Sequence, residues 1–465
     1  MRTIMLLFIL LPAFRVEGTA CTIFIGSNDQ STFVGNNEDY TPSVNTFLWI
    51  RPRQQGRYGY IFWGFEEKYP EGGMNDKGLF MDAAALSQKI VLERNPLKPD
   101  FNGYLTETIL RQCSTVEEVI TLVKKYNLTW QEKAQILVAD RSGDYAIIHA
   151  NYIVRKTTSI FVLTNYSLRD PAAKDFSCWR RNTAYKYLSG PDLSVAQFRE
   201  ILSKTAQTEP DNATVYSQVC DLRKGIIYLY RLHDFSVADT INLSALLLQG
   251  AKNIAIRSLF PQSIADTLLH TITTSSIQEA LDLYRSIKKG PGAAALNFSE
   301  TELDRVAYIL INDHKIKEAT AIFQLNLQAY PASANAHAGL GNALLLDGQE
   351  GKADEQYLVA AILDPGNVYT GLLQKRADGM VDFRLNGFDG ARQVLVFLQG
   401  THSDFRENAP LILNKDGLWS CRLNIPPGNY TYSFKVDDSW ISDPGNHLAQ
   451  KIGKYWSSYL VVRPI

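Results

Sequence analysis

The first atom in this chain with evident chemistry is the sulfur of Cys21. Ahead of it, Arg2 supplies a positive start, residues 4–14 form a nearly unbroken apolar run, and Gly18-Thr19-Ala20 is a small-residue cleavage site. That order is the pattern of a secretory signal peptide, and it predicts cleavage after Ala20. Cys21 would then begin the mature chain, in the periplasm or outside the cell. A cysteine in that place carries a thiol and a free α-amine together. The amine titrates near pH ~8, so it can take the thiol proton close to neutrality. Lipidation of the cysteine would call for a Leu-like residue three positions earlier, where Gly18 stands.

The residues after Cys21 must bring partners to it. CTIFIGSNDQSTFVGNNEDY reads as two short strands, 22–26 and 31–34, joined by the polar turn 27–30. That hairpin folds 36–39 back towards the cysteine. Further on come GGMNDKGL at 72–79, LTN at 163–165 and an Arg-containing helix start within 178–187. In this order, from Cys21 to about Gly250, the motifs resemble the linear amide C–N hydrolases. These are the choloylglycine hydrolase, penicillin V acylase and acid ceramidase group of the N-terminal-nucleophile hydrolases.

The resemblance implies Cys21 as nucleophile, Asp39 as the acid orienting its amine and thiol, and Asn165 as partner of the amine and oxyanion. It also implies a later arginine, Arg180 or Arg181, with Arg181 favoured by spacing. Asn36 and Asn75 are candidate substrate contacts. Two departures stand out. The family often has an arginine where this chain has Asn36, and an Asn or Tyr oxyanion donor near the run Ala83-Ala84-Ala85. The first removes a charge that would depress a thiol pKa, and the second leaves the oxyanion to Asn165 and backbone N–H groups.

Composition limits the alternatives. The chain has 465 residues, 45% hydrophobic and 20% charged, which is length for two or three domains. A net charge of −1 provides no field for nucleic acid or anionic membrane. After residue 20 no apolar run approaches the ~20 residues of a bilayer span. Five cysteines are an odd number for an exported protein and show no disulfide framework. Neither CxxC nor HExxH occurs and the seven histidines are scattered, so neither metal nor cofactor is expected. His149 reads as a core or edge histidine. The aromatic group Trp49, Tyr60, Phe62, Trp63 and Phe65 could line an acyl pocket, with Trp63 the candidate contact, or simply pack a core. Glu66 and Glu67 beside Lys68 read as a solvated turn more readily than as paired acids.

The remaining pattern gives a multidomain α+β chain. Helices are expected at 104–113, 115–126, 179–188 and 195–204, and further strands at 47–52, 58–64, 79–85, 134–140, 144–149, 159–164, 214–222 and 225–230. The resemblance implies that these form an αββα sandwich over 21–250, following the signal peptide at 1–20. From about residue 245 the pattern is helical. Ala319 with Ala353, Phe323 with Tyr357 and Pro331 with Pro365 align at the tetratricopeptide period, so 251–370 reads as helical repeats acting as spacer or groove.

Residues 380–465 return to strands, at 381–385, 393–398, 418–423, 428–436 and 457–462, as in an immunoglobulin-like β-sandwich. KDGLWS at 415–420, IPPGNYTY at 425–432 and DDSWISDP at 437–444 resemble glycogen-binding modules of starch-active enzymes. Trp440 matches a sugar-stacking position, Phe405 stands in for the other, and Ser433 replaces a lysine.

These readings predict a secreted cysteine hydrolase that cleaves a linear amide of a small acyl substrate, with an α-glucan as a possible second partner. Its alternatives are an acyltransferase or dipeptidase of the same nucleophile class, or a non-catalytic cell-envelope scaffold. No proposed catalytic residue lies beyond Arg181, so the C-terminal parts are expected to be dispensable for turnover. Oligomeric state has no signal in the sequence.

Overall fold

The structure is a computed structural model that describes residues 21–41, 44–65, 69–86, 88–169, 178–190, 193–209, 212–291, 293, 296–364, 380–401, 404–446, 448–452 and 455–462. The expected signal peptide, the Glu66–Lys68 turn and Pro365 lie outside the described residues.

The first part of the chain runs β1 (Thr22–Ser27), β2 (Thr32–Tyr40), β3 (Thr46–Arg51), β4 (Tyr60–Phe65), β5 (Tyr69–Asn75), β6 (Phe80–Ala85), α1 (Leu105–Gln112) and α2 (Val116–Val123). It continues with β7 (Ala134–Ala139), β8 (Tyr145–His149), β9 (Tyr152–Arg155), β10 (Ile160–Leu163), α3 (Trp179–Leu188), α4 (Val195–Thr205), β11 (Thr208–Glu209), β12 (Asn212–Asp221), β13 (Ile226–Arg231), β14 (Asp234–Asn242), α5 (Leu243–Leu247) and β15 (Lys252–Ala255). One antiparallel sheet has the order β10-β1-β2-β12-β13-β14, with β11 on β12. The other has the order β15-β3-β4-β5-β6-β7-β8-β9.

The two sheets share one apolar layer, in which Ile23, Ile25 and Val34 of the first meet Ile61, Phe80 and Ile147 of the second. Helices α3 and α4 pack on the outer face of the first sheet through Leu188, Phe198 and Leu202. Helices α1 and α2 cover the second through Ile109, Leu110 and Val119. The result is four layers, αββα. β1 is buried along its whole length, which is why it reads as an apolar run without alternation.

Two differences from the sequence reading follow from packing. No strand was expected between 64 and 79, yet the first four residues of GGMNDKGL finish β5, and Gly72 is needed there. A Cβ on Gly72 would come within 2.4 Å of the Asp82 carboxylate carbon on the neighbouring strand. The turn itself is Asp76 to Gly78, with Gly78 at φ +79°. In addition, β15 pairs with β3, so the second sheet reaches past the expected boundary at residue 250.

Next come α6 (Ile264–Thr274), α7 (Ile277–Lys289), α8 (Glu300–Asn312), α9 (Ile316–Ala329), α10 (Ala334–Leu346) and α11 (Glu350–Leu363), with a two-residue pair β16 (Gln262–Ser263) and β17 (Leu296–Asn297). α8 and α10 start 34 residues apart, as do α9 and α11. Gly339 and Gly341 of α10 make room for the rings of Phe323 and Tyr357.

The last part has β18 (Met380–Leu385), β19 (Val394–Gly400), β20 (Arg406–Pro410), β21 (Ile412–Leu413), β22 (Trp419–Asn424), β23 (Gly428–Val436), β24 (Ser439–Ile441), β25 (Ala449–Ile452) and β26 (Tyr455–Val462). They form two sheets, β18-β22-β21 and β20-β19-β23-β26-β25 with β24 on β23, around a core of Phe383, Val396, Trp419 and Phe434.

This β-module is not a free appendage. Trp179, the first residue of α3, is buried in the module's core with its ring 4.4 Å from that of Phe388. Lys186 of α3 pairs with Asp389 at 2.5 Å, and Gly390 lies so close to Thr183 that a Cβ would meet its nitrogen at 2.4 Å. On another side, Leu448 and Tyr459 pack into the helical core.

Candidate active site

Cys21 immediately precedes β1. The register Thr22↔Asn37 between β1 and β2 puts the cysteine across from Glu38. The buried thiol donates to Glu38 Oε1 at 3.0 Å. Burial pushes the thiol pKa well up, and the charges of Glu38 and Asp39 push it further, against a lowering contribution from the Asp39 backbone. With residue 20 attached by a peptide bond, the thiol is therefore neutral at pH 7.

Alternation along β2 sends its polar residues to opposite faces. Asn36 and Glu38 face the second sheet. Asn36 Nδ2 donates to Glu38 Oε2 at 3.3 Å and to Asp82 Oδ2 at 2.8 Å. Asp82 also accepts from Trp63 Nε1 at 2.9 Å and from the Ala83 N–H at 2.8 Å. Glu71 joins the group. Burial is the first cause of a raised pKa at all three acids: Glu71 reaches about 7, Asp82 about 8, and Glu38 rises well above the ordinary carboxyl range. Cys21 therefore stands on a buried pool of carboxyls, in which Asn36 Oδ1 and Gln218 Oε1 have no partner among the described residues.

Asn37 and Asp39 face α4. Asn37 Nδ2 donates to Leu202 O at 2.9 Å, which fixes the helix to the strand. Asp39 accepts from Thr214 Oγ1 at 2.5 Å and Gln207 Nε2 at 2.6 Å, and lies 3.6 Å from Arg180 Nη1. Burial raises its pKa to about 6, with Arg180, Thr214 and Gln207 pulling the other way.

Arg180 joins these pieces. Its Nη1 donates to Cys21 O at 3.2 Å and to Thr22 Oγ1 at 2.8 Å, and its Nη2 to Asn165 Oδ1 at 2.9 Å. Asn165 Nδ2 in turn donates to Ala85 O at 2.9 Å. The expected run Ala83–Ala85 thus holds Asn165 by a carbonyl and supplies no side-chain donor.

Of the residues expected at the site, Cys21, Asp39 and Asn165 are brought together. Arg181 is not among them. One position further round α3, it lies over the rings of Tyr185 and Tyr166 at 4.9 and 5.7 Å, and the arginine of the site is Arg180. Asn36 is fully buried beneath the thiol and joins two carboxyls rather than meeting a substrate.

Trp63 is wholly buried and holds Asp82, so it lines no acyl pocket. Asn75 caps the end of α1, donating to Leu110 O and Cys113 O at 2.8 and 2.7 Å, and its side-chain Oδ1 accepts from the Lys77 and Leu79 N–H groups; it is structural. His149, stacked on Tyr152 and bonded to Gln131 O, is a core histidine.

Trp440 lies on β24, half-buried, with its ring 4.6 Å from Phe397 and 5.8 Å from Tyr455. Phe405 is not beside it. It packs on Tyr430 in the module's core, at the other end of the β19–β23 pair.

Sequence reasoning missed Glu38, Glu71, Asp82, Gln207 and Thr214. Glu38 was within reach, since the hairpin register that returns Asp39 also returns its neighbour. Among the described residues all five cysteines are free thiols, no His/Cys/Asp/Glu group is placed to hold a metal, and no helix is long and apolar enough to cross a membrane.

The four αββα layers are the architecture that the resemblance to N-terminal-nucleophile hydrolases implied. Residues 26–230 match the family model described as acyl-coenzyme A:6-aminopenicillanic acid acyl-transferase, and residues 382–464 match that of the glycogen recognition site of AMP-activated protein kinase. The resemblances read from the sequence are thus shown for the sandwich and for the C-terminal module, while Cys21 lies just ahead of the matched segment.

Among solved structures, a variant of conjugated bile acid hydrolase from Clostridium perfringens is similar at 15% identity and a TM-score of 0.41, over 50% of this chain and 96% of that one. Penicillin V acylase from Agrobacterium tumefaciens is similar at 16% identity and a TM-score of 0.38, over 50% and 90% of the two chains. No curated protein matches.

Proposed function

We propose that this protein is an exported cysteine N-terminal-nucleophile enzyme that cleaves a linear amide through a thioester. The observation that carries the reading is the constellation at the edge of β1, where Arg180 ties the Cys21 carbonyl to Asn165 and Asp39. Cleavage after residue 20 converts the Cys21 amide nitrogen into an amine. The acid pool supports this step, because Glu38 and Asp39 beside the new terminus favour its ammonium form, and an ammonium favours ionised thiol and carboxyls in return.

In the reaction the Cys21 thiol proton passes to the α-amine as Sγ attacks the amide carbon. The Asn165 amide and backbone N–H groups face the oxyanion, the α-ammonium protonates the leaving amine, and water releases the acid. The match of 26–230 to an acyltransferase family favours a second reading, in which an amine replaces water at the thioester.

The two appended regions take supporting roles. The 34-residue offset of the α8–α9 and α10–α11 pairs supports tetratricopeptide-like packing. The two-sheet module with Trp440, Phe397 and Tyr455 clustered on it supports an immunoglobulin-like fold that stacks an α-glucan.

The test is expression with the leader in an exporting host. The mature mass begins at Cys21 without lipid, iodoacetamide labels Cys21, and acyl-amide substrates or probes turn over. A form with a non-removable residue ahead of Cys21 folds but is nearly inactive. Equal turnover by the unprocessed form would refute the mechanism.

A further inference from the structure

A cavity of about 590 Å³ opens where the sandwich meets the helical region. It lies on the same end of the first sheet as Cys21. The pairs Ala213↔Tyr40 and Tyr216↔Arg231 carry that end from β2 across β12 to β13. Three strand steps of ~4.8 Å put the cavity roughly 14 Å from the β1 edge.

Its walls are apolar, from Val44, Val215 and Leu232 on the sandwich side and from Leu269 and Ile309 on α6 and α8. Set among them are three arginines, Arg231, Arg257 and Arg305, with Asp266 the single acid on the lining.

Local acids do not balance these cations. Arg305 Nη2 takes Asp266 at 2.6 Å and lies 3.8 Å from Glu302, while Arg231 reaches Asp266 only at 3.9 Å. Among the described residues three positive charges thus face two negative ones. Arg257 is exposed, and Arg305 Nε is buried without an acceptor among the described residues. Burial disfavours the Arg231 cation, and Arg305 and Arg257 add repulsion that Asp266 and Glu302 oppose. A buried donor without an acceptor and a surplus of cations in an apolar cavity are the complement of an anion with a hydrocarbon body.

We infer that this cavity binds an amphiphilic organic acid, its hydrocarbon part against Val215, Leu269 and Ile309 and its acidic group on Arg231, Arg257 and Arg305. The helical region then has a binding role, since α6 and α8 supply half of the wall. The occupant would also be felt at the site around Cys21. On the rim, His233 Nε2 is 2.6 Å from Gln207 O, and the Gln207 side chain holds Asp39.

The test uses the full chain as Cys21→Ala, so that no outcome depends on catalysis. Decanoate is titrated by calorimetry, with 1-decanol as the uncharged probe of equal length. The expected result is one saturable decanoate site, with decanol at least 10-fold weaker. Arg257→Gln combined with Arg231→Gln weakens decanoate at least 10-fold. Arg257→Gln alone, at an exposed position with no ion pair among the described residues, leaves Tm unchanged and still weakens it. No saturable decanoate binding, decanol binding as tight as decanoate, or undiminished binding in Arg257→Gln and the double variant would each overturn the assignment.

Discussion

Arg180 is the side chain whose removal most directly tests the reading of the site. It is buried and touches Cys21, Thr22, Asn165 and Asp39 at once. Arg180→Met keeps most of its length and removes the charge and the fork of donors. Breaking one partner of a buried pair costs about 3 kcal/mol or more, unless the stranded acid takes up a proton. Asp39, already raised to about 6 with Arg180 beside it, takes that route and moves upward.

The acid limb of kcat/KM in the processed enzyme should therefore lie at or below about pH 6, since the new ammonium also favours the Asp39 carboxylate, and shift up by about one unit or more in Arg180→Met. The loss at neutral pH should be on the order of 10²-fold, the rate equivalent of about 3 kcal/mol. Arg180→Lys retains the charge but not the two-pronged geometry, and should fall between the two. The assay is a pH–rate series on the best chromogenic acyl amide, beside the rate of Cys21 alkylation by iodoacetamide, with Tm as the folding control. An unmoved acid limb with kcat/KM within about threefold of the parent, in a folded variant, would remove Arg180 from the mechanism.

Asp39→Asn should cost on the order of 10²-fold in kcat with the fold intact, the scale of a lost general acid–base contribution, measured on the same substrate. Stability of the unprocessed chain should decline with rising pH. Asp82 has a folded pKa of about 8 against an unfolded value near ~3.9, so its contribution is fully present below pH ~4 and is lost as pH rises through about 8. Asp82→Asn should flatten that decline in Tm scans between pH 5 and 8.5, and an unchanged slope would contradict the assignment. Deleting 380–465 should lower kcat about 10-fold or more, because it uncovers Trp179 next to Arg180, while Trp179→Phe in the full chain stays near the parent. Full turnover by the deleted form would restore the sequence-based expectation. Trp440→Ala should abolish retention of the full chain on amylose resin without altering amide turnover, since a stacked aromatic is worth about 1 kcal/mol or more.

The elements that show in the sequence are those whose pattern is local. α4, expected at 195–204 and found at Val195–Thr205, begins on Ser194, whose side chain accepts from the Gln197 N–H three residues on, a cap wholly local in the chain. β5 was hidden because its glycines serve strands from elsewhere. Gly72 is small for the sake of Asp82, ten residues on, and nothing in the segment itself announces a strand. β14, exposed along most of its length, lacks the apolar alternation that marks a half-buried strand. β15 joins a sheet begun two hundred residues earlier, a pairing with no local sign.

The choice between Arg180 and Arg181 turned on a similar blindness. Adjacent residues on a helix point about 100° apart, so spacing along the chain cannot say which one faces the sheet. The deciding contact is at Trp179, whose burial in a module two hundred residues away turns its neighbour towards Cys21. The acid pool was unreadable for the same reason, since Glu38, Glu71 and Asp82 sit on three strands and meet only when the two sheets close. Burial, with the carboxyls of Glu38 and Asp39 beside the thiol, disfavours the ionised form that nucleophilic attack needs. The arrangement becomes favourable for chemistry only with a cation among them, and a free α-ammonium on Cys21 is the one that processing would create in that place.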